Sequence, residues 1–184
     1  MRRIPAGLVI AVAVVLAVFS GMAIATQNKD TVQVPGGLAL SECKGYEDWP
    51  AVAVSYPEEP EGKLNLIVAN AAMIAAYRAG IPAGGKPFPD GSKIMKILWK
   101  PKQNDVAPFA VKVPDELASI GCMMKDSKRF AETGGRGYAQ FDYDPASDSF
   151  APHTSLQGND ATCGAGCHAA AEATDFVFTA YGKR

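Results

Sequence analysis

Apolar and polar residues alternate along much of this chain. Where the alternation fails, the spacing becomes helical or is broken by proline and glycine. Residues 51–56 (AVAVSY) and 63–69 (KLNLIVA) read as strands, and the charged, proline-bearing run PEEPEG between them predicts a hairpin. Glu58, Glu59 and Glu61 in that turn are expected to face solvent. Asn70 precedes AAMIAAYRAG, where Met73, Ile74 and Tyr77 share a face, so a helix capped by Asn70 and stopped at Gly80 is predicted. Residues 81–91 are too rich in glycine and proline for regular structure and end in a PDG turn. The strand SKIMKILWK follows. On it Lys93, Met95, Ile97 and Trp99 point one way, while Ile94, Lys96, Leu98 and Lys100 point the other. Lys96 therefore lies between two aliphatic neighbours on its own face.

Further on, residues 108–113 and 117–124 each predict a strand, and KDSKRFAETGG predicts a short helix ended by its glycines. The aromatic, alternating stretch 136–143 predicts another strand. Residues 144–160 read as a polar loop, after which Asp160 or Thr162 can cap a short helix over 163–173, and DFVFTAY closes the chain in extended form. Upstream, SECKGYEDW reads as a short helix with early acids. The fold class is α+β: a mainly antiparallel β-sheet with a few short helices, the last of them near the C-terminus.

The N-terminus departs from this pattern. Arg2 and Arg3 precede an uncharged apolar run, and Ala23-Ile24-Ala25 gives a small-x-small site before the polar TQNKD. Residues 1–25 thus read as an export signal cut after Ala25, with 26–184 as a single domain in the periplasm. An uncleaved membrane anchor is the other reading, and both place the domain outside the cytoplasm. Cleavage leaves 16 basic residues against 19 acidic ones, a net charge of −3. That sign argues against nucleic acid as a partner.

Export changes how the four cysteines are read, because an oxidising compartment permits covalent sulfur chemistry. Cys163 and Cys167 sit in CGAGCH, directly followed by His168. Two thiols can add to the vinyl groups of a haem, and a histidine beside the second is placed to ligate the iron. The usual spacing has two intervening residues. Here there are three, Gly164, Ala165 and Gly166, all small enough for a wider loop to close round a porphyrin. Cys43 and Cys122 are left either as a disulfide or as two buried thiols. The second histidine, His153, follows Pro152 in the polar stretch and reads as an exposed loop residue. Met123 and Met124 read as core residues, with a distal iron–sulfur ligand as their alternative. There is no G-x-S-x-G elbow, P-loop or metal-spaced histidine pair, so hydrolase and nucleotide-driven chemistry have no anchor.

Taken together, Trp49, ANAAMIAAYRAG, FPDGSKIMKILWK, MMKDSKRFAETGGRGY, the thiol–histidine segment and TDFVFTAYG resemble the cytochrome P-460 family over most of the exported chain. The resemblance implies one covalently attached haem c, with Cys163 and Cys167 binding the cofactor and His168 on a five-coordinate iron. It also implies a lysine cross-link to the porphyrin, for which Lys96 is the best match and Lys93 and Lys100 the fallbacks. The implied activity is oxidation of hydroxylamine or related nitrogen oxides, with electrons passing to an electron-accepting cytochrome c, in a homodimer. The alternative is a non-catalytic cytochrome that binds nitric oxide or only transfers electrons. Two departures are visible: Asn65 stands where family enzymes tend to carry a distal arginine, and Arg136 replaces tryptophan in the TGGWGY segment. No catalytic acid or base can be assigned by matching the segment ASIGCMM.

Overall fold

The computed structural model describes residues 31–58, 62–106, 108–153 and 161–182. Residues 1–25, read above as an export signal, lie outside the described residues, as do Glu59, Glu61, the expected Asp160 cap and the side chain of Thr162. Six strands form one antiparallel sheet in chain order: β1 (Ala51–Ser55), β2 (Leu64–Ala69), β3 (Lys93–Asn104), β4 (Val111–Lys125), β5 (Arg136–Asp144) and β6 (Ser149–Pro152). Helix α1 (Ala71–Arg78) follows β2, and helix α2 (Ala161–His168) runs into a 3-10 segment, Ala169–Thr174. The chain is α+β and mainly sheet, as the alternation predicts.

The strands arise where side chains can be sorted between two faces. Met95, Ile97, Ile120, Cys122, Met124, Ala139 and Phe141 fill one face, where the segment from Val32 to Cys43 covers them. Cys43 and Cys122 form a disulfide across this layer, resolving the two readings of those thiols. Ile67, Ile94, Met123 and Tyr138 lie on the other face and meet Met73, Ile74 and Tyr77 of α1. The Asn70 side chain accepts the Met73 N–H at 3.1 Å and the Lys93 N–H at 3.0 Å, so one cap starts α1 and ties it to β3. The C-terminal segment closes over α1: the Tyr77 hydroxyl donates to the Thr179 carbonyl at 2.8 Å, and its ring stacks on Tyr181.

Four elements differ from the sequence reading. The two strands expected over 108–124 are one, β4, continuous through Pro114. Pro114 faces Pro101 in the register, so the two missing N–H groups share one rung, next to the register shifts at Leu98/Trp99 and Trp99/Pro101. The helix expected at KDSKRFAETGG is a set of turns ending in a 3-10 turn, Ala131–Thr133, because Asp126 accepts the Lys128 and Arg129 N–H groups locally. The 144–160 loop contains β6, which pairs with β5. SECKGYEDW forms two 3-10 turns, Leu40–Cys43 and Tyr46–Asp48, separated where Gly45 takes φ 82°.

Candidate functional site

Between the α1-side face of the sheet and α2 lies a cavity of about 670 Å³. Lys96, Cys163, Cys167 and His168 all line it. Their convergence follows from two local geometries. On β3 the two-residue period turns Lys96 to the cavity with Ile94, whereas Lys93 lies on the opposite face and hydrogen-bonds the Glu42 carbonyl. Lys100 sits further along β3 and pairs with Glu116 at 2.7 Å. The fallback lysines are thus engaged elsewhere. On α2 the extra residue between the thiols makes Cys163 and Cys167 an i, i+4 pair, so both lie on one helix face. The wider spacing is a helical turn, and it delivers His168 to the same cavity.

The helix can approach the sheet because of Gly164. A Cβ there would stand 2.5 Å from Tyr138 Cβ and 2.6 Å from Tyr138 Cγ, with no room for any side chain. Gly166 has open space around it. A Gly164→Val variant is therefore expected to lose about 1–3 kcal/mol of stability by overpacking. Gly166→Ala should be neutral or stabilising by up to about 1 kcal/mol. Denaturant midpoints of the two variants compare them directly.

His168 is half-buried, and its ring lies between Tyr138 and Phe178 at centroid distances of 5.1 and 5.0 Å. Its Nδ1–H donates to the Phe176 carbonyl at 2.6 Å. That bond fixes the tautomer and leaves Nε2 as the nitrogen with a free lone pair. Burial lowers the His168 pKa, and the positive charges of Arg136 and Lys96 lower it further, while the Phe176 bond opposes them. The net effect favours the neutral imidazole that a metal requires. The Lys96 pKa is lowered too, first by desolvation against the cavity walls and then by Lys63. Gly121 lies beside Lys96 in the register and offers no side chain, so the amine has room on that flank.

The turn that presents the Phe176 carbonyl rests on a buried ion cluster. Asp175 accepts from Lys125 Nζ at 2.7 Å and from Arg136 Nη2 at 2.5 Å, and the Phe88 N–H adds a third bond at 2.8 Å. Arg136 is 0% exposed, with Nε and Nη1 lacking a protein partner among the described residues.

A model of the family described as Cytochrome P460 matches residues 43–179, which include Lys96, Cys163, Cys167 and His168. The chain belongs to the cytochrome P460 family. No curated protein matches it. The family implies a haem cofactor, and the site suits one. Ile67, Ile94, Met123, Val177 and Phe178 give the cavity apolar walls, and a neutral imidazole and two thiols stand on one short helix.

His153 and Asn65 are placed differently from the sequence reading, whereas Met123 and Met124 are core residues as expected. His153 is no exposed loop residue: its side chain is 22% exposed, it lines the cavity, and its Nδ1 lies 2.7 Å from an Asp142 carboxylate oxygen. The β5–β6 hairpin brings the two together, and the sequence hides it because the alternation ends at Pro152. Met123 also lines the cavity, whereas Met124 belongs to the opposite layer. Asn65 is buried and donates to Ser55 Oγ at 3.2 Å, and Ser55 rather than Asn65 lines the cavity. Asp175 and the Phe176 carbonyl were not foreseen at all. Their signal is the αL backbone at both residues, which no composition rule reveals.

Proposed function

We propose that this chain is an exported mono-haem c-type cytochrome that oxidises hydroxylamine or a related nitrogen oxide, with Cys163 and Cys167 holding the haem through thioethers and His168 Nε2 on the iron. The observation that carries the reading is the convergence of Lys96, both thiols and a neutral, carbonyl-anchored imidazole on one cavity. When bound, the haem would supply one-electron redox chemistry. The chain's residues supply the rest. The lowered pKa of Lys96 raises the fraction of neutral amine at the cavity wall, and this side chain would be the one to bond a porphyrin edge, given a two-electron oxidant to take up the electrons of the N–H and C–H bonds replaced. Removing two electrons from hydroxylamine releases two protons and gives HNO, and the electrons leave to an electron-accepting cytochrome c. The His153–Asp142 pair provides the proton acceptor: the carboxylate holds the Nδ1 side of the ring, which makes Nε2 the basic nitrogen. The periplasm and a homodimer belong to the same reading.

The second reading, a nitric-oxide-binding cytochrome, is favoured by the apolar side chains that dominate the cavity wall. Intact mass and absorption spectra of the purified exported protein test the cofactor. One added haem is expected, with a reduced spectrum strongly red-shifted from an ordinary c-type haem. Lys96→Ala should return the spectrum to the ordinary form while the added mass of one haem remains. A mass without haem would reject the cytochrome reading. Hydroxylamine turnover with an artificial electron acceptor separates catalysis from gas binding, and turnover should fall in His153→Gln if that ring takes the protons.

A further inference from the structure

Three charged side chains are buried together behind the imidazole: Asp175, Lys125 and Arg136. Such a cluster is a poor source of net stability, because desolvating three charges offsets much of their attraction. What it does hold is a backbone. Asp175 takes φ 52° and Phe176 φ 64°, two successive non-glycine residues in the left-handed region that L side chains avoid. The Asp175 carboxylate is pinned from both sides: Oδ1 by Lys125, and Oδ2 by Arg136 and the Phe88 N–H. Lys125 also donates to the Gly134 carbonyl at 3.0 Å. A side chain at Gly134 would strike the Phe176 ring, its Cβ lying 2.2 Å from Cε2, so the ring is seated directly on that glycine. The product of these restraints is one carbonyl, that of Phe176, held 2.6 Å from His168 Nδ1.

We propose that Asp175, clamped by Lys125 and Arg136, is a positioning residue for His168: it fixes the left-handed turn that keeps the Phe176 carbonyl on Nδ1–H and so sets the donor strength of Nε2. The inference rests on the reading that His168 ligates haem iron. A hydrogen bond from Nδ1–H increases the basicity of the opposite nitrogen. A more basic ligand favours the ferric state, which carries one more positive charge, so loosening the turn raises the ferric/ferrous midpoint. It also weakens the iron–histidine bond.

The test uses the full-length, exported, haem-loaded protein and two variants, Asp175→Asn and Lys125→Met. Resonance Raman spectroscopy of the ferrous state reads the iron–histidine stretch, and a redox titration reads the midpoint. Asp175→Asn is expected to lower the stretch and to shift the ferric/ferrous equilibrium about tenfold towards ferrous, equivalent to about 59 mV for one electron. Lys125→Met separates position from charge. Loss of a buried cation alone would favour the ferric state and lower the midpoint, whereas a loosened turn lowers the stretch and raises it. A smaller shift in the same direction as Asp175→Asn is expected. A midpoint that falls in Lys125→Met, with the stretch unmoved, would overturn the proposal in favour of simple electrostatics. If Asp175→Asn does not accumulate as folded protein, Lys125→Met decides alone. A wild-type protein without an iron–histidine band rejects His168 as ligand, while a wild-type band that neither variant moves rejects only the positioning role.

Discussion

A His168→Gly variant is expected to retain haem through Cys163 and Cys167 yet lose more than about 100-fold in hydroxylamine turnover, with part of the activity restored by added imidazole. The size follows from the ligand hierarchy: partners that only orient a ligand are worth about 10–100-fold, so removal of the ligand itself should exceed that range. Rescue is expected because the site is built for an imidazole. The ring space between Tyr138 and Phe178 remains, and the Phe176 carbonyl still offers its acceptor to a free imidazole N–H. Stopped assays with and without imidazole, on protein whose mass shows one haem, provide the measurement. A variant that keeps full turnover would mean that the iron takes its nitrogen from elsewhere, and His153, on the same cavity, is the residue to replace next.

Much of this site is legible along the chain because its parts are local. CGAGCH brings two thiols and an imidazole within six residues, and a helix needs only its own period to place Cys163 and Cys167 on one face. Lys96 is legible for a similar reason: strict alternation on β3 separates it from Lys93, and the layers on the two faces keep that distinction. The Asn70 cap and the Gly80 stop are written in single residues. What stays hidden is assembled from distant segments. Asp142 and His153 meet only because β6 exists, and SFAP is too short, and closed by a proline, to announce a strand. Asp175, Lys125 and Arg136 come from three elements, and each alone reads as a surface charge. The continuous β4 is hidden because Pro114 normally argues against a strand interior, and only its partner Pro101 removes the objection.

Arg136, at the position where the resemblance leads one to expect tryptophan, also gains a physical account from this assembly. A fully buried guanidinium at the start of β5 needs a carboxylate, and Asp175 supplies it; Phe88 lies beneath, its ring centroid 5.4 Å from the Arg136 guanidinium carbon. The cation that replaces the aromatic ring is integrated into the layer behind His168, and its charge is one of the influences lowering the His168 pKa. A residue that reads from sequence as a departure from the expected pattern is, in the fold, an electrostatic element of the layer behind His168.

The double variant Cys43→Ala/Cys122→Ala is expected to lose about 4 kcal/mol of stability and to melt roughly 8–16 °C lower, using about 2–4 °C per kcal/mol for a chain of this size. The disulfide closes a loop with a sequence separation of 79 residues, and in the chain-entropy account a loop of that length restricts the unfolded state by about 4.5 kcal/mol. Both sulfurs are buried, so alanine is the appropriate replacement, and serine would add the separate cost of an unsatisfied hydroxyl. Reduction of the wild-type protein should produce a shift of the same order. The effect on the site is expected to be smaller than the effect on stability. Gly121, Cys122 and Met123 all line the cavity, but β4 is also held there by β3 and β5 through paired residues on both flanks. Absorption spectra below the melting transition should therefore match the wild type. If they do not, the disulfide shapes the cavity floor directly, since the thioethers would still hold the haem in place.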